Sequence, residues 1–158
     1  MRAAYEIARK SKDQRTKIGA VLVRDNIALV HGYNGLPRKC DDNVPERQER
    51  PEKYFWFEHA ERNAVYACAR FGIRSEGAVM FTQGVPCADC ARGVIQAGIK
   101  EVVIHKQWHE NDYWVRQDKW TESIMRSTKM FDEAGVFLRV FDGTLGSQGM
   151  VDGKIVSI

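Results

Sequence analysis

Cys87 and Cys90 stand three residues apart in GVPCADCARG (84–93), directly behind Pro86. At i and i+3 in the first turn of a helix the two thiols face one side. A helix N-terminus also favours the thiolate, the form that binds metal. Two thiolates do not complete a metal site, and the same spacing also suits a redox pair. The chain offers further donors. His59 opens a second expected helix, after a long loop, and Glu61 follows two residues later. One histidine and two cysteines are three ligands. Zinc takes three protein ligands and a water when catalytic, and four protein ligands when structural. A structural site would draw its fourth from Cys40, His31, His105 or His109. In a catalytic site a carboxylate beside the open position takes a proton from water and hands it on. That gives Glu61 a role, which a redox pair leaves without one. His59 is thus the best third candidate beside Cys87 and Cys90 for one catalytic Zn2+ per chain, with Glu61 the candidate catalytic acid and base.

The elements that must hold these residues follow from hydrophobic spacing. A first helix is read in YEIARKS (5–11), and IGAVLVR (18–24) and IALVHG (27–32) read as a hairpin through RDN. Residues 33–57 carry three prolines and many charges and read mostly as loop, long enough to suggest function. Helices are expected over 58–72, 87–98 and 122–135, and strands over 77–82, 100–105 and 136–141. The order α-β-β-α-β-α-β-α-β predicts parallel pairing of the last three strands. The fold expected is α/β: a three-layer α/β/α sandwich on a five-stranded mixed sheet. The domain is read as 1–142. Residues 143–158, with Gly143, Gly146, Gly149 and Gly153, are read as a partly disordered tail.

The 158 residues suit one domain with one core. At 44% apolar and 28% charged, the composition is that of a soluble globular protein. No apolar run approaches the roughly 20 residues of a membrane span. MRAAYEIARKSKDQ (1–14) is amphipathic without a signal peptide's apolar centre, so a cytoplasmic location is expected. A net charge of +3, from 24 basic and 21 acidic residues, is too weak to point to nucleic acid. It is compatible with a small anionic ligand.

His59-Ala60-Glu61 followed by Pro86-Cys87-Ala88-Asp89-Cys90 matches H-x-E…P-C-x-x-C, the signature of zinc deaminases. With SKDQRTKIGAVLV (11–23), GYNGLP (32–37), HAERNAV (59–65) and PCADCARGVIQAGIKEVV (86–103), the chain resembles the cytidine deaminase superfamily. Within it, GYNGLP resembles the deoxycytidylate deaminases. The resemblance implies hydrolytic deamination of dCMP to dUMP, with Glu61 protonating N3 and then the departing amine. It implies Asn34 and the Ala60 backbone N–H as nucleotide contacts. Trp108 and Tyr113 stand where relatives carry a tyrosine near the base or sugar, so they are candidate substrate contacts that put the substrate's identity in question. Lys12, Arg15, Lys17, Arg38 and Lys39 lie in the two matching loops and are candidates for the phosphate. The resemblance further implies a homo-oligomer, a dimer or hexamer, with dCTP and dTTP regulation by analogy. Alternatives within the class are a deaminase of a related or modified nucleotide or nucleobase and a tRNA adenosine deaminase. Outside it stands a catalytically silent zinc-binding nucleotide sensor.

Overall fold

The chain opens on a short helix. In the computed structural model, which describes residues 1–109 and 118–158, helix α1 runs over Arg2–Ala8. Its end comes earlier than the apolar spacing predicts: the Lys10 and Ser11 N–H groups bond Ile7 O and Ala8 O three residues back, and polar side chains organise the residues beyond. Asp13 Oδ1 accepts the N–H groups of Arg15 and Thr16, and Ser11 Oγ donates to Asn34 O at 2.7 Å. Short polar side chains that capture nearby backbone groups compete with helix in this way.

β1 (Gly19–Arg24) and β2 (Ile27–Tyr33) form the expected antiparallel hairpin. Asp25 and Asn26 both take positive φ, the requirement of a two-residue type I′ turn. α2 (Lys53–Trp56) and a 3-10 turn (Pro45–Gln48) lie inside the stretch read as loop. α3 (Ala60–Phe71) ends on left-handed Gly72, as its closing glycine predicted. β3 (Val79–Thr82), α4 (Ala88–Gln96) and β4 (Glu101–His105) follow. α5 (Lys106–His109), α6 (Asp118–Ala134) and β5 (Phe137–Phe141) complete the alternation.

Among the described residues the main sheet has five strands in the order β2-β1-β3-β4-β5. β1 pairs antiparallel with β2 and β3, and β3-β4 and β4-β5 are parallel. Register shows how the layers arise. Gly19 pairs with Tyr33 and Ala20 with Gly32, so the two glycines point to opposite faces. A Cβ on Gly19 would stand 2.1 Å from Ala4 O of α1, and one on Gly32 would stand 2.2 Å from Ala60 O of α3. α1 therefore covers one face and α3 the other. Leu22, Met80, Val102, Ile104 and Phe131 fill the main core with the small face of α3, Ala60, Ala64 and Ala67.

The sequence pattern yields no element after Phe141. The structure has two: β6 (Gln148–Val151) and β7 (Lys154–Ser157), an antiparallel pair. Leu145, Val151 and Ile158 pack with Tyr5 and Trp108 into a second apolar cluster. No helix among the described residues is long and apolar enough to cross a membrane.

Candidate metal centre and active site

His59 is the N-cap of α3 and Cys87 the N-cap of α4, both in extended backbone. Two helix starts thus bring their cap residues to one point, and Cys90 joins from the first turn of α4. His59 Nδ1 lies 3.5 Å from Cys87 Sγ and 3.4 Å from Cys90 Sγ. The donor atoms of the three residues lie within 4.8 Å of one another, and among the described residues no other such group forms. His31 is exposed on β2. His105 is buried elsewhere, bonded to Tyr5 and Gly143 O. Neither supplies a fourth ligand.

One nitrogen and two sulfurs at this spacing fit a single Zn2+ that keeps a position open. Glu61 stands beside that position, buried, with Oε2 accepting from Cys90 Sγ at 3.7 Å. The two thiols are biased in opposite directions. The hydrogen bond from Cys90 lowers the Cys87 thiol to about 4, helped by His59 against the cost of burial. Cys90, as the donor to Cys87, is pushed up, with burial and the charges of Glu61 and Cys87 adding to the shift. Burial raises Glu61, and the charge of His59 opposes it.

A second layer of polar contacts fixes the two helix starts. Glu58 Oε1 accepts the His59 N–H at 2.9 Å and Arg62 Nε at 2.6 Å. The Arg62 stem lies across α4 where Gly93 has no side chain. Ser123 of α6 accepts the Ala88 N–H at 2.9 Å and so caps α4 from outside.

His59, Glu61 and Cys87 form part of the wall of one cavity, with Asn34, Ala60 and Trp108. Ala60 is at the first position of α3, where a helix supplies its N–H with no partner. Trp108 is fully buried, and its Nε1–H has no partner among the described residues. Asn34 reaches the cavity wall with its side chain largely engaged. Nδ2 donates to Asp13 Oδ2 at 2.9 Å and Thr16 O at 2.8 Å, and Oδ1 accepts the Ile18 N–H. Tyr113 lies outside the described residues.

The loop cations named as phosphate candidates do not line this cavity. Lys12 pairs with Asp42 at 2.5 Å, Arg15 faces Glu49 and Asp152, and Lys17 borders a different cavity. Arg50, Lys53 and Trp120 line it instead. Sequence reading missed all three, since each lies in a stretch without a periodic signal. For Arg50 and Lys53 the pointer was the length of the 33–57 loop.

Residues 1–106 match the model of the cytidine and deoxycytidylate deaminase zinc-binding region. The chain belongs to that family. A deoxycytidylate deaminase from Pongo abelii is 34% identical over 148 residues, spanning 89% of this chain and 76% of that one. An uncharacterized deaminase from Aliivibrio fischeri is 36% identical over 126 residues, 80% of each chain. The crystal structure of the dCMP deaminase of cyanophage S-TIM5, in apo form, has a TM-score of 0.66 at 26% identity. It covers 89% of this chain and 92% of that one. The match of the family model runs through His59, Glu61, Cys87 and Cys90. It ends before the aromatic segment beyond β4.

Proposed function

We propose that the protein hydrolytically deaminates a pyrimidine deoxynucleotide, dCMP to dUMP, with release of ammonia. The observation that carries this reading is the buried Glu61 carboxylate beside the converged His59, Cys87 and Cys90 donors, at a cavity that Glu61, His59 and Cys87 line. When held by those three residues, Zn2+ supplies a Lewis acid that makes water nucleophilic near neutral pH.

The chain's own residues do the rest. Glu61 takes the proton from the attacking water and delivers protons to N3 and to the amine on C4. The water oxygen bonds to C4, the C4–N bond breaks, and ammonia leaves. A group that both accepts and returns protons works best with a pKa near the operating pH, and burial moves Glu61 that way. The Ala60 N–H donates to the base carbonyl. Trp108 Nε1–H, buried without a partner among the described residues, offers a second donor to the substrate. Asn34 shapes the wall by holding Asp13 and the 16–18 backbone in place.

The test is Glu61→Ala, assayed by ammonia release from dCMP together with zinc content. Zinc should stay at one per chain while turnover falls by about 10²–10⁴-fold, the usual size of a general acid–base contribution. Full activity in that variant rules the mechanism out. A panel of dCMP, CMP, deoxycytidine, dCTP and purine nucleotides ranks the substrate. The same resemblance carries a homo-oligomer under dCTP and dTTP control. Light scattering tests the first. Titrating dCTP and dTTP into a dCMP assay tests the second, and a flat response removes it.

A further inference from the structure

We propose that Lys53 receives the phosphate of the nucleotide, with Asp13 as the positioning residue that aims its ammonium. This rests on the deaminase reading above. Lys53 belongs to α2, in the stretch read from sequence as loop, yet its side chain is only 12% exposed and lines the cavity that Glu61 lines. Its Nζ lies 2.6 Å from Asp13 Oδ1, and the Asp13 side chain is 2% exposed.

The charge balance at Asp13 is what singles Lys53 out. The same carboxylate already accepts the Arg15 and Thr16 N–H groups and Asn34 Nδ2. Its negative charge is shared among four donors, so it neutralises the ammonium only in part. An ammonium carries three N–H donors; among the described residues Asp13 takes one, and the Phe57 ring centroid lies 5.2 Å from Nζ without supplying an anion. A nearly buried cation with spare donors costs free energy unless something anionic meets it. Among the described cavity-lining residues, the other carboxylate is Glu61, which faces the cysteines.

Geometry adds to charge. Lysine normally loses much rotamer entropy when it grips a ligand. Here the Asp13 contact has already fixed the side chain, so less is lost on binding. Arg50 lies on the same wall and adds a second positive charge. One cavity is lined by both Lys53 and Glu61. It thus joins a hydrolytic centre and a fixed cation in one space. That combination suits a substrate with a neutral ring and an anionic group.

The experiment compares dCMP with deoxycytidine, which lacks the phosphate, in the zinc-loaded wild type and in Lys53→Met, Lys53→Gln and Lys53→Arg. Lys53→Met should lose about 100-fold in kcat/KM on dCMP, the scale of a broken buried charge contact, and less than about 3-fold on deoxycytidine. Lys53→Arg should recover part of the dCMP preference. Inorganic phosphate should compete with dCMP in the wild type and about 10-fold less well in Lys53→Met. Equal losses on both substrates overturn the proposal, because Lys53 then only supports the fold. If Lys53→Met does not fold, Lys53→Gln, which keeps a hydrogen bond to Asp13 without the charge, is read by the same two substrates. A wild type that deaminates dCMP with its preference unchanged in the variants refutes Lys53 alone. A wild type inactive on both substrates refutes the deaminase reading, and this inference falls with it.

Discussion

Trp108 holds the clearest unmet hydrogen bond near the site. Its ring packs edge-on against Tyr5, with centroids 5.8 Å apart, and Gly84 leaves room beside its indole nitrogen. Trp108→Phe keeps an aromatic ring there and removes only the Nε1–H and part of the ring. If that N–H serves the substrate, kcat/KM on dCMP should fall about 2–10-fold, the net worth of one hydrogen bond. Melting temperature should change far less than in Trp108→Ala. Unchanged kinetics would show that Trp108 only packs. The metal ligands and Glu61 were legible from residue type and spacing alone, because zinc chemistry restricts both. Lys53 was not legible. A lysine in a charged stretch is usually a solvated surface group, and only the buried Asp13 beside it makes it otherwise.

Elements meet at the site through backbone contact. Gly32 of β2 lies against the first turns of α3, and a Cβ there would stand 2.2 Å from Ala60 O and 2.4 Å from Ala64 N. Those atoms are backbone and cannot swing aside. Gly32→Ala should therefore push α3 off the sheet and carry His59 and Glu61 away from the cysteines on α4. The expected outcome is a loss of stability of about 1–3 kcal/mol or more in urea unfolding, with weaker zinc retention. Wild-type stability and zinc content would show that α3 shifts without cost. The sequence indicated the strands and the long helices, since period-2 and period-3.6 patterns are strong there. It placed α1 too late: the Lys10 and Ser11 N–H groups bond Ile7 O and Ala8 O only three residues back, and Ser11 and Asp13 then hold the backbone of residues 13–16. It assigned no elements to the tail, where four glycines conceal the strand pattern of β6 and β7.

The whole molecule is tied across its second core by a polar chain. Tyr5 OH of α1 bonds His105 Nδ1 at 2.7 Å, and His105 Nε2 donates to Gly143 O at 2.9 Å. With Nε2–H donating to a carbonyl, Nδ1 accepts from the phenol. Burial raises the Tyr5 pKa above its ordinary value near 10. The unfolded chain gives up this proton above about pH 10 while the folded one keeps it, so the contribution is intact below that pH and is lost as pH rises. Urea unfolding from pH 7 to 11 should show wild type more stable than Tyr5→Phe at neutral pH, with the gap closing above about pH 10. Parallel profiles would show that Tyr5 does not titrate with unfolding. At this scale the sequence by itself determined the α/β class, the mixed sheet and the zinc-deaminase residues, because periodicity and ligand chemistry are local properties. Tertiary structure alone decided which cations face the cavity, what Asn34 bonds to and what the last strands cover. Those depend on groups far apart in the chain, Asp13 with Lys53 and Tyr5 with His105, whose pairing no local spacing encodes.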